Sequence, residues 1–202
     1  MRRLNSIKFV FRRFTRFILI LFAFLSIPSC THKQFVKNAA KIMGQQITLP
    51  TDMNTTWQGR DTVLTGYLEA PIKLIAWYDS LGCASCRVGK MSDWDNIVAY
   101  ADSLSQWFSV IFLFTPKEEH LQRMKLALQT DKFDYPVFID RHATFIKQNP
   151  NIPKHPQLHS FLLDKNNKVV IVGSPLYNPG LWGLYKRTIQ KMIENDGVLP
   201  EQ

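Results

Sequence analysis

Short apolar runs bounded by turn residues alternate along this chain with longer stretches in which apolar residues recur every three or four positions. The runs Ile72–Tyr78 and Ser109–Phe114 are bulky and nearly unbroken, as in strands covered on both faces of a sheet. Between them Val88, Met91, Trp94, Val98, Ala101 and Leu104 fall on one helical face, which predicts a helix over Arg87–Leu104. Thr115-Pro116 closes the second run, and Leu121, Met124 and Leu128 predict a helix over Lys117–Thr130 whose entry Pro116 suits. Pro136–Ile139 reads as a further short strand and Arg141–Lys147 as a helical turn. Ser160–Leu163 and Val169–Val172 flank Asp164-Lys165-Asn166-Asn167, turn-forming residues that make the pair a hairpin. Leu181, Leu184, Tyr185, Ile189 and Met192 mark a closing helix that fades at Asn195-Asp196-Gly197. Ahead of all these, Gln46–Pro50 and Thr62–Leu68 are short, partly alternating and β-branched, with Asn54, Gln58 and Gly59 between them, and they predict an N-terminal hairpin. There are no internal repeats. The order of elements is that of a single α/β domain.

Composition is ordinary for one globular core. The formal charge of +9 looks like a nucleic-acid signature until it is located. Arg2, Arg3, Lys8, Arg12, Arg13 and Arg16 supply six of the charges, residues 1–29 hold no Asp or Glu, and only +3 remains for residues 30–202. A basic face on the folded part is therefore not indicated, and nucleic-acid binding is set aside. The six charges precede an apolar run, Phe17–Ile27, that ends in Ile27-Pro28-Ser29-Cys30. This is a positive n-region, an apolar h-region too short to span a bilayer comfortably, and a small residue before a cleavage point. The pattern resembles a bacterial lipoprotein signal. In that reading residues 1–29 are removed, Cys30 carries the lipid, and residues 30–43 form a tether on the periplasmic side of a membrane.

With Cys30 assigned to the lipid, two cysteines remain, Cys83 and Cys86. They follow the Ile72–Tyr78 run and open the amphipathic stretch, which places Cys83 at the first turn of a helix. There the orphan N–H groups and the positive end of the helix dipole favour thiolate over thiol. A lone pair so closely spaced closes too small a loop to brace a fold, so in an oxidising compartment it reads as a redox pair. Cys83, the more exposed, is the expected attacking thiol and Cys86, one turn in, the resolving one. Arg87 and Lys90 are near enough in sequence to assist electrostatically. Asp79 is the nearest acid upstream; it reads most simply as a turn residue at the end of the strand, with proton transfer to Cys86 as its sharper role.

From about Gly44 to Glu194 the chain resembles the thioredoxin-like superfamily, and within it the membrane-tethered periplasmic thiol-disulfide oxidoreductases and redoxins of Bacteroidetes-type bacteria. The placement of Cys83-Ala84-Ser85-Cys86, the segment Tyr135-Pro136-Val137-Phe138-Ile139-Asp140, and His159-Ser160-Phe161-Leu162-Leu163-Asp164 with its following turn carry the resemblance. It implies a thioredoxin-like fold: a central mixed sheet flanked by helices, with an N-terminal hairpin and an inserted strand, over residues 44–196 and followed by a tail at 197–202. It also implies a monomer that acts on protein thiols or disulfides and needs no cofactor or metal. Most such proteins carry a cis-proline two residues before the Ser/Thr-Phe of the third core strand, where its backbone docks substrate. The counterpart here is Leu158, and the nearest proline is Pro156, so either can serve as the docking element. His155 and His159 fall in the same loop. Beside two thiolates they raise a copper- or zinc-chaperone alternative, although surface histidines are the simpler reading. A redox-inactive interaction module is the other alternative. The Pro- and Thr-containing loop of thiol peroxidases is missing from Asp79-Ser80-Leu81-Gly82-Cys83.

Overall fold

The computed structural model describes residues 29–104 and 106–200. Residues 1–28, which contain nearly all of the expected signal segment, lie outside the described residues. Helix α1 (Ser29–Ile42) comes first, and the compact unit that carries the sheet runs from Lys41 to Gln202. Ile42 and Ile47 are buried in the core of that unit. No helix among the described residues is long and apolar enough to cross a membrane.

The sheet has seven strands: β1 (Asn54–Trp57), β2 (Arg60–Thr62), β3 (Ile72–Tyr78), β4 (Phe108–Phe114), β5 (Val137–Ile139), β6 (Ser160–Leu163) and β7 (Val169–Val172). Their order is β2-β1-β5-β4-β3-β6-β7. β3 and β5 both pair with β4 in parallel, whereas β1, β6 and β7 join antiparallel. Along β3, Ile72, Leu74 and Ala76 enter one core layer while Ile75 and Trp77 enter the other, the period-two alternation of a strand covered on both faces. The buried exception is Lys73, whose Nζ donates to the Ala70 carbonyl at 2.7 Å; burial lowers its pKa, and Asp164 partly opposes that.

The N-terminal hairpin exists, but in a different register from the predicted one. Its strands are β1 and β2, and the turn is Gln58-Gly59, both at positive φ (48° and 74°). Such two-residue turns match the twist of the flanking strands. Gly59 is obligatory, because a Cβ there would collide with the Lys125 carbonyl. Residues 46–50 make one isolated bridge, Gln46 with Lys168, and Gly66–Glu69 is a helical turn, α2, whose Tyr67 carbonyl accepts from Ser109 Oγ at 2.6 Å.

The helix expected over Arg87–Leu104 is interrupted. α3 (Ala84–Val88) ends at Gly89, a 3₁₀ turn covers Met91–Trp94, and α4 spans Asp95–Ser103. The apolar face survives the break: Val88, Met91, Trp94, Val98 and Ala101 are all buried. α5 (Glu118–Asp131) packs in the same layer, with α6 (Thr144–Gln148) on the other face and α7 (Pro179–Glu194) closing the fold. The β6–β7 hairpin, β5 and the closing helix lie where the pattern of residues put them.

Candidate active site

The site forms where β3 runs out into α3, at the carboxyl end of a strand flanked by one parallel and one antiparallel neighbour. After Tyr78 the chain turns through Asp79-Ser80-Leu81-Gly82, and Asp79 Oδ1 accepts from the Leu81 N–H at 3.2 Å, the bond that Asp supplies in such turns. This delivers Cys83 as the N-cap of α3, at φ −72° and ψ 103°. Its sulfur accepts from the Cys86 N–H at 3.2 Å and lies 3.4 Å from Ser85 Oγ. Cys83 and Cys86 are joined in a disulfide, with Cα atoms 5.2 Å apart.

Both cysteines are exposed, against the expectation that Cys86 is the sheltered partner. The reason is local: α3 buries Ala84 and Val88, one turn apart, so residues 83 and 86 share its outer face. The two sulfurs differ instead in what they receive, since only Cys83 accepts a backbone N–H. Once the bond is reduced, that N–H favours a negative charge on Cys83.

Arg87, exposed, folds its guanidinium back over the turn, so that a Cβ added at Gly82 would lie 3.6 Å from its Nε. Behind α3, Trp94 Nε1 donates to Tyr78 Oη at 3.0 Å. Burial pushes the Tyr78 phenol up to about 12, so it remains a neutral hydrogen-bonding group. Tyr177, at φ 56° and largely exposed, donates its hydroxyl to Asp93 on the following 3₁₀ turn.

The loop before β6 forms a 3₁₀ turn, Pro156–Leu158. Pro156 is exposed and Leu158 is wholly buried, its N–H bonded to the His155 carbonyl at 2.9 Å. No peptide bond among the described residues is cis.

His159 is buried, which corrects its reading as a surface histidine. Its ring packs against Trp77 with centroids 4.3 Å apart and the planes tilted by 41°, Nε2 donates to the Pro153 carbonyl at 2.9 Å, and Nδ1 faces Asp79 Oδ2 at 4.0 Å. Burial lowers its pKa most, with His155 and Arg87 adding to that; the Pro153 bond and Asp79 act in the opposite sense. Asp79 is therefore a turn residue with a second, tertiary partner. With both nitrogens turned to protein groups, His159 does not reach out towards the sulfurs. Among the described residues no three His, Cys, Asp or Glu side chains are gathered to hold a metal ion. The Trp77–His159–Asp79 assembly escaped sequence reasoning; its only trace was a histidine abutting a run of buried strand residues.

The strand order and the helices that flank the sheet are those of a thioredoxin-like fold. No protein-family model and no curated protein matches the chain. Among solved structures, an uncharacterized conserved protein from Geobacillus kaustophilus superposes with a TM-score of 0.52 at 16% identity, over 79% of this chain and 86% of that one. The thioredoxin domain of a Bacteroides vulgatus thiol-disulfide oxidoreductase gives 0.47 at 16% identity, over 73% and 97%. A thioredoxin-like protein from Porphyromonas gingivalis gives 0.47 at 15%, over 75% and 95%. The likeness is one of fold.

Proposed function

We propose that the protein is a thiol-disulfide oxidoreductase working through Cys83 and Cys86 on protein substrates, outside the cytoplasm and tethered to a membrane by lipid on Cys30. The observation that carries the redox reading is an exposed disulfide at the start of α3 whose leading sulfur accepts the Cys86 N–H. The tether rests on the basic and apolar leader that ends at Cys30.

In the reducing direction the Cys83 thiolate attacks one sulfur of a substrate disulfide, and that bond breaks to release a substrate thiolate while a mixed disulfide forms. Cys86 gives its proton to solvent and attacks the Cys83 sulfur. The mixed disulfide breaks, the second substrate sulfur leaves, and the Cys83–Cys86 bond returns. The substrate has gained two electrons and the pair has lost two. The oxidising direction is the same sequence reversed, and the reduction potential of the pair selects between them. The loop that carries Pro156 and Leu158 is the proposed docking element for the substrate strand, with Pro156 its exposed residue.

Equilibration in glutathione buffers, read by thiol mass-tagging, measures that potential, and insulin reduction measures turnover. Activity lost in both Cys83→Ser and Cys86→Ser, with a mixed disulfide trapped only in the latter, is the expected result. A disulfide that does not cycle, or turnover that survives Cys83→Ser, overturns the proposal.

A further inference from the structure

Helix α1 and the residue after it carry exposed side chains of two kinds. Lys33, Lys37 and Lys41 recur every fourth residue, so they line one stripe of the helix, and all three are exposed. Beside that stripe lies an apolar one: Val36 is 51% exposed, Ala40 is exposed, and Met43, just past the helix end, is 45% exposed. Among the described residues no carboxylate lies within 4 Å of any of the three lysines, and α1 contains no acidic residue at all. Apolar side chains flanked by lysines, with acids excluded, make the pattern of a helix that lies in the boundary between lipid headgroups and acyl chains.

We infer that the Lys33–Lys37–Lys41 face of α1 is a docking surface for anionic phospholipid headgroups. The choice of a bilayer over an acidic protein comes from the chain itself. The residues immediately before α1 are the basic and apolar leader ending at Cys30, so the helix begins where the proposed anchor enters the membrane. The inference rests on that anchoring. A basic patch within a Debye length of an anionic surface adds electrostatic attraction to whatever the anchor supplies, and it sets how the domain sits on that surface. Val36 and Met43 would enter the headgroup boundary, and the lysine stems would lie along it with their ammonium groups on phosphate.

The test uses the full chain bound to vesicles of phosphatidylcholine, alone or mixed with phosphatidylglycerol, with lysine acetylation followed residue by residue by mass spectrometry. Lys33, Lys37 and Lys41 should be acetylated ~5-fold more slowly on the anionic vesicles. High salt should remove the difference, and Lys191, exposed on α7, should react equally on both. In a Lys33→Glu/Lys37→Glu chain, Lys41 should lose its protection. Equal rates on both vesicles, with the protein floating alongside them, overturn the docking surface and leave the anchor standing. A chain that floats with neither vesicle overturns both. Protection by soluble polyglutamate without vesicles assigns the face to an acidic protein and overturns the lipid reading.

Discussion

Because α3 leaves both sulfurs exposed, reagent access cannot explain a difference in their reactivity, and the Cys86 N–H aimed at the Cys83 sulfur becomes the testable variable. A hydrogen bond to a charged acceptor is worth ~1.5–3 kcal/mol, which favours ionisation of Cys83 by ~10- to 150-fold. A more stable thiolate is also a weaker nucleophile, with a Brønsted slope of ~0.4–0.5. Near neutral pH the thiolate fraction also saturates as the gain in ionisation grows, so the two effects together leave ~2- to 4-fold in rate. The assay is alkylation by iodoacetamide near neutral pH of two reduced variants, Cys86→Ala and Cys83→Ala, followed peptide by peptide so that Cys30 does not interfere. The folded Cys86→Ala chain should lose its Cys83 thiol faster than the folded Cys83→Ala chain loses Cys86, and the advantage should vanish when both are unfolded in guanidinium. Equal rates in the folded proteins, or a faster Cys86, would refute the assignment of Cys83 as the attacking sulfur.

Three further outcomes concern the frame around the site. Gly59→Ala should destabilise the protein by about 3 kcal/mol in urea titration, from positive φ and the collision with the Lys125 carbonyl, while leaving the redox potential unchanged. Trp94→Phe should cost about 2 kcal/mol, because the Tyr78 hydroxyl loses its donor and a void opens behind α3; wild-type stability would show that the bond contributes nothing. His159 carries a pKa lowered by burial, so the unfolded chain binds a proton that the folded chain refuses, and stability falls as pH drops below the unfolded value of about 6.5. That loss grows by at most ~1.4 kcal/mol per pH unit and stops once the pH passes the folded pKa. His159→Gln should flatten this part of the profile in urea titrations at successive pH values, and an unchanged profile would sink the assignment.

Much of the fold was legible because its determinants are local. β3 and β4 are long enough and bulky enough to mark themselves, and Asp164 to Asn167 could only be a turn. The hairpin register was misread because Gln58-Gly59 acts through two positive φ angles, and the tight approach of Lys125 that makes Gly59 necessary comes from α5, far along the chain. The break at Gly89 was equally hidden. Its 3₁₀ turn keeps Met91 and Trp94 on the buried face, so the apolar spacing reads the same with or without an interruption.

Local spacing was enough for the α/β class and for the position of the Cys pair at the head of a helix, since each depends on neighbours within a few turns of chain. Tertiary structure alone decided that β1 joins the sheet beside β5, that both sulfurs face outward, and that His159 is buried between Trp77 and Asp79. Those outcomes depend on which faces of distant segments are brought together, and side-chain spacing along one segment carries no record of what will cover it.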